Sequence, residues 1–187
     1  MPEDQRSSRT AGEPPLHGRA GAERWADYLD WMREEIIEGV LGLPESEHRL
    51  SRLPSGWSPI ELLSHLLHME QRWFVWGFLG EQVSGPWGDW NVDPSGGQSP
   101  DGVVPRWTVG SEVTAEELAT DLRRMGLRTR AVMDGHGLDA RARLGGRFTA
   151  DPPTLEWICF HVLVEYARHA GQFDVVQELA SVPRPRV

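Results

Sequence analysis

Three side chains able to ligate a metal, His161, Glu165 and His169, stand four residues apart near the C-terminal end of the chain. Four residues carry an α-helix slightly past one turn, so these groups form a single polar stripe. The run that carries them, Trp157-Ile-Cys-Phe-His-Val-Leu-Val-Glu-Tyr-Ala167, reads as a helix buried nearly all the way round. A carboxylate left without a partner on such a helix costs several kcal/mol, roughly. Imidazole, carboxylate and imidazole along one buried face is a set that a divalent metal would satisfy.

A closed site needs a further ligand from another element. Glu61-Leu-Leu-Ser-His65-Leu-Leu-His68-Met-Glu70 offers two. His65 shares its helical face with Leu62, Met69 and Trp73, which points it inward. His68 shares its face with Ser64, Gln71 and Arg72, which points it outward, so His65 is the preferred ligand. His48 and His136 read as surface residues, and His17 belongs to a polar N-terminal stretch. A single histidine on an apolar face is ordinarily a hydrogen-bonded core residue. The stripe together with an inward histidine from a second helix favours a metal, because bundle cores take ligands from facing helices. The one cysteine, Cys159, excludes an internal disulfide and a multi-cysteine zinc site. Two residues from His161, it turns to the other side of the helix and reads as a small buried apolar group.

Helical periodicity supplies the elements that must position these residues. The first helix is expected from about Gly21 to Leu41, with Trp25, Leu29, Met32, Ile36 and Val40 on one face. The second opens at Ser58-Pro-Ile-Glu61, a cap serine, a first-turn proline and a capping-box glutamate, and ends near Leu79 before Gly80. Thr114-Ala-Glu-Glu117 starts the third, which ends near Met133. The fourth opens around Asp151-Pro-Pro-Thr154 and runs to about Ala180. The spacing predicts an all-α four-helix bundle over residues 20–182, with a disordered N-terminal tail at 1–19 and a C-terminal tail at 183–187. Glu81 to Gly110, rich in Gly, Pro, Asp and Trp, must cross between the second and third helices, and so long a connection is usually functional. Trp57, Trp73, Trp76, Trp87, Trp90 and Trp107 are candidates to line a cavity or its cover. A second loop, Gly135 to Ala150, carries Arg141, Arg143 and Arg147.

The 187 residues, 39% hydrophobic and 25% charged, suit one domain with a sizeable core. A net charge of -9 argues against a nucleic acid or an anionic membrane as partner. No apolar run reaches transmembrane length and the N-terminus has no hydrophobic signal core, so a cytoplasmic protein is expected.

The segments Ser58-Pro-Ile-Glu-Leu-Leu-Ser-His65-Leu and Leu155-Glu-Trp-Ile-Cys-Phe-His161-Val-Leu-Val-Glu165-Tyr-Ala-Arg-His169-Ala-Gly-Gln-Phe-Asp174 resemble the DinB-like superfamily. The resemblance is nearest to its actinobacterial branch of mycothiol-dependent enzymes, of the type of the maleylpyruvate isomerase N-terminal domain. It extends loosely from about Ala20 to Leu179. It implies an antiparallel four-helix bundle with a crossover, holding a divalent metal through a histidine of the second helix and a pair from the last. Mapped onto this chain, the implied set is His65, Glu165 and His169. The extra histidine, His161, leaves His161/Glu165 as the alternative pair. The Ala-Gly-Gln that follows His169 resembles the family's ending after its last ligand and favours Glu165/His169, with His161 then an outer or substrate-facing neighbour.

Two imidazoles and one carboxylate suit zinc, with nickel, iron and manganese as alternatives. The resemblance implies mycothiol or another low-molecular-weight thiol as cofactor. The expected activity is a metal-dependent thiol transfer, or thiol-assisted isomerisation, on a small electrophile. The alternatives are a metal-dependent hydrolase using the same ligands on water, a ferrous oxygenase, and a non-catalytic, stress-associated metal-binding bundle. A homodimer is compatible with the fold. Arg168 and the group Arg141, Arg143 and Arg147 are the arginines available to a substrate.

Overall fold

The computed structural model describes residues 12–15, 17, 21–94 and 103–182. The expected tails at 1–19 and 183–187 lie outside the described residues apart from 12–15 and 17, as does the 95–102 part of the crossover.

Four long helices carry the fold: α1 (Ala22–Leu41), α3 (Pro59–Glu70, continued by a π-helical stretch, Gln71–Phe78), α4 (Ala115–Gly135) and α5 (Leu155–Ser181). A single turn, α2 (Glu45–His48), lies where an interhelical loop was expected. It buries His48, whose ring nitrogen Nε2 lies 3.2 Å from the Leu43 carbonyl, so this histidine is not a surface residue. Among the described residues there is no strand, only isolated bridges such as Trp90 with Trp107.

The helix starts follow the local chemistry. Glu61 accepts from the backbone N–H of Ser58 at 2.8 Å and from its hydroxyl at 2.7 Å, with Pro59 in the first turn. Thr114 and Glu117 exchange the reciprocal bonds of a capping box, and the Thr154 hydroxyl accepts from the Trp157 N–H at 3.3 Å. The π-helical stretch stops at Gly80, whose φ of 66° is the left-handed turn that favours glycine after a helix.

In the bundle α1 packs on α4 and α5, and α3 packs on the same two helices from the other side. Leu29, Ile36, Ile37, Leu62, Leu63, Leu66, Leu122, Leu155 and Val162 fill the space between them. α5 departs from the sequence expectation. Trp157, Phe160 and Val164 are 50%, 55% and 53% exposed. The helix packs between α1 and α3 and leaves one apolar edge outside, so hydrophobicity on every side did not mean burial on every side.

Candidate metal centre

The bundle brings His65 of α3 against Glu165 and His169 of α5, with one ligand-capable atom of each lying within 4.8 Å of the others. His65 is buried, whereas Glu165 and His169 are half-buried. His169 Nε2 lies 3.4 Å from Glu165 Oε2, and the hydrogen bond between them is the main influence holding the Glu165 carboxyl below its ordinary pKa. The other His169 nitrogen, Nδ1, lies 3.2 Å from Gln172 Oε1.

His65 is held from behind by a residue of the crossover. Its Nδ1 lies 2.9 Å from Asp89 Oδ2, and Asp89 is fully buried. Arg72 in turn grips Asp89 with two bonds, Nη1 to Oδ1 at 2.6 Å and Nη2 to Oδ2 at 3.1 Å. Burial works to raise the Asp89 pKa, but the hydrogen bonds from His65 and Arg72 outweigh it and keep the carboxyl below the usual aspartate range. An ionised carboxylate only accepts, so Nδ1 of His65 must carry the proton. The lone pair is therefore on Nε2, which is buried and has no hydrogen-bond partner. Desolvation pulls the His65 pKa down to about 4, which keeps the ring neutral at physiological pH.

The crossover also covers the site. Trp107 stacks on His65 at 4.0 Å between ring centroids and meets His169 edge-on at 5.3 Å. Trp90 adds an edge contact to His65 at 6.4 Å and pairs with Trp107 through their backbone bridge.

His161 lies beside this group. Its Nε2 is 3.9 Å from Glu165 Oε1, while its ring stacks on Trp157 and packs on Trp73, with centroids 4.2 Å apart. It thus flanks Glu165 at the carboxylate oxygen opposite the one that His169 approaches. His68 stays apart, its Nδ1 lying 2.8 Å from the Ser64 carbonyl of its own helix. Two neighbours that had marked the His68 face as solvent-facing, Ser64 and Arg72, are in fact buried, Arg72 against Pro86 and Asp89 of the crossover. His136 likewise turns to its own helix, with Nδ1 2.9 Å from the Val132 carbonyl. The Cys159 thiol is fully buried, and desolvation pushes its pKa up to about 12.

Sequence reasoning missed Asp89 and Arg72. Asp89 lies in Trp87-Gly-Asp-Trp90, a crossover segment without periodicity, and only the tryptophans on either side hinted that this stretch covers something.

The family model described as mycothiol-S-transferase matches residues 25–181, a span that includes His65, Asp89, Glu165 and His169. No curated protein matches the chain.

Proposed function

From the premise that the chain belongs to the mycothiol-S-transferase family, a DinB-like family, we propose that it is a metal-dependent thiol transferase whose ion is held by His65, Glu165 and His169. The observation that carries the reading is His65 Nε2. This buried nitrogen has no partner, its lone pair is fixed by the Asp89 bond on the opposite side, and it converges with a carboxylate oxygen and a second imidazole. An orphaned buried acceptor is costly, and a cation is the partner this donor set fits. Zinc suits two imidazoles and one carboxylate best, and three protein ligands leave a position for a further group. Bound there, the ion would favour the thiolate form of a thiol cofactor and so supply a nucleophile at neutral pH.

The chain's own residues do the rest by positioning. Asp89 and Arg72 fix the tautomer and tilt of His65, as outer carboxylates do for ligating histidines. Trp107 and Trp90 close one side against water. Glu165 acts as a ligand rather than as a base. The chain offers no sulfur of its own, because its single thiol is buried and held protonated, so the sulfur enters on mycothiol or a similar small thiol. Transfer forms a bond from that sulfur to the electrophilic carbon, and the displaced group leaves with the bonding pair. The partners are two small molecules in a cytoplasmic reaction. A homodimer is compatible but unnecessary, since all three ligands come from one chain.

Elemental mass spectrometry on untagged protein purified without chelators should find about one divalent ion per chain. It should find none in His65→Ala. The loaded protein should consume electrophiles only when thiol is supplied. Turnover without thiol would replace this reading with hydrolysis, and an absence of metal after incubation with zinc, nickel, iron and manganese would remove it.

A further inference from the structure

Arg147 is an unusual cation for this molecule. Among the described residues, four other arginines are shielded from solvent: Arg33, Arg52, Arg72 and Arg130. Each of them pairs with a carboxylate. Arg147 is also half-buried, yet no carboxylate among the described residues pairs with it. Arg143 and Arg168, the other arginines suited by sequence to a substrate, are exposed, and Arg141 already faces Asp151 at 3.6 Å.

The position of Arg147 is built rather than incidental. Its backbone N–H donates to the Trp76 carbonyl at 3.1 Å, docking the α4–α5 loop on the π-helical stretch. The preceding Gly146 makes this approach possible, because a Cβ there would come within 2.1 Å of the same carbonyl oxygen. The guanidinium then lies 4.3 Å from the Trp73 ring centroid, 5.5 Å from that of Trp87 and 5.8 Å from that of Trp76. Stacking engages the face of a guanidinium and leaves its edge N–H groups free to donate. Trp73 also packs on His161, the flank of the metal ligands, and its ring helps to wall a neighbouring cavity of about 490 Å³ with Phe148 and Trp157, whose own charged lining residues, Arg141 and Asp151, face each other.

We propose that Arg147 binds a carboxylate of the electrophilic substrate, while the apolar body of that substrate lies along the Trp73–Phe148–Trp157 wall and its reactive carbon faces His161 and the metal ligands. The assignment deepens the thiol-transferase reading and rests on it for the words electrophile and reactive carbon; the carboxylate site itself does not. One free charge matches a monoanion. Arg72, the guanidinium that shares the Trp87 ring with Arg147, is already committed to Asp89, so a dianionic phosphate would be left half-neutralised.

The probe is cinnamate against its uncharged amide, cinnamamide, measured by titration calorimetry on full-length protein stripped of metal, so that no ion can bind the carboxylate. Cinnamate should bind roughly tenfold or more tightly than the amide. Arg147→Gln should abolish that preference, and Arg143→Gln, one turn of loop away and exposed, should keep it. Melting temperature and metal uptake of Arg147→Gln should match the parent, which separates loss of the site from loss of the fold. Equal binding of acid and amide by the parent, or an unchanged preference in Arg147→Gln, overturns the proposal. The two readings fail separately. An Arg147-dependent preference in a protein that takes up no metal would leave the carboxylate site and remove the transferase. Thiol-dependent turnover without any acid preference would do the reverse.

Discussion

Glu165 and Tyr166 are adjacent on α5 and belong to two buried polar groups of opposite kind. Tyr166 donates its hydroxyl to Glu70, which also accepts from Arg33 Nε at 2.8 Å and from the Thr129 hydroxyl at 2.6 Å. Those four residues come one from each long helix, so a single fully buried carboxylate ties α1, α3, α4 and α5 together. Burial alone would pull the Arg33 pKa down, but Glu70 and its neighbours reverse this and hold the guanidinium charged. Glu165, one residue back, joins His65 and His169 in a group drawn from two helices only, and there a buried acceptor, His65 Nε2, is left without a partner, whereas what the first group leaves without one is a donor, Arg33 Nη2. The first group spends both oxygens of its carboxylate on the protein. The second keeps one acceptor, His65 Nε2, for something else. A carboxylate spent wholly on protein donors specifies how the helices pack, and an unspent buried acceptor marks where a cation can bind.

The contrast is broken most forcefully at Glu70. Glu70→Ala leaves the buried Arg33 with only the part-exposed Asp30 as a counter-charge and takes the acceptor from Tyr166 and Thr129, which should cost about 3–5 kcal/mol of stability by urea unfolding. A cost below about 1 kcal/mol would mean that the network does not hold the bundle. Acid should act on the open group instead. His65 has a depressed pKa of about 4 in the folded chain against an ordinary 6.5, so below pH 6.5 the unfolded state binds the extra proton first. Metal-free protein should therefore lose stability as pH falls from about 6.5 to about 4, by up to roughly 3 kcal/mol from this residue. A His65→Gln variant should lack that part of the slope, and equal slopes in the two proteins would contradict the burial argument.

Asp89→Asn sharpens the comparison further, because it removes the charge that fixes the His65 tautomer while leaving all three ligands in place. Metal affinity, read by competition with a chelator, should fall about 10–100-fold. An unchanged affinity would reduce Asp89 to a partner of Arg72 alone. The smallest effect is expected at His68, which bonds only to its own helix. His68→Ala should retain its metal and lie within about 1 kcal/mol of the parent; loss of metal there would reopen the choice between the two histidines of α3.

The helices were legible because each local signal agreed with the fold. Ser58-Pro-Ile-Glu61 and Thr114-Ala-Glu-Glu117 start α3 and α4 where they were read to start. That His65, Glu165 and His169 come together was legible for the same reason, since a helix fixes which residues share a face and two apolar faces must meet. The departures came where burial depends on what lies above. Arg72 looked solvated until the crossover covered it, and Trp157, Phe160 and Val164 looked buried although each stays about half exposed.

By itself, then, the sequence determined four helices, their caps, and a stripe of imidazole and carboxylate on the last of them, because these depend on spacing of a few residues along one chain. The tertiary structure alone decided that Asp89 reaches His65 across 24 residues of sequence, that Trp107 closes over it, and that Arg147 comes to rest on Trp73 with no anion of its own among the described residues. Those contacts join an irregular crossover and a loop to distant helices. No local periodicity records such a meeting; it follows only from how the helices pack and where that packing leaves the connections to run.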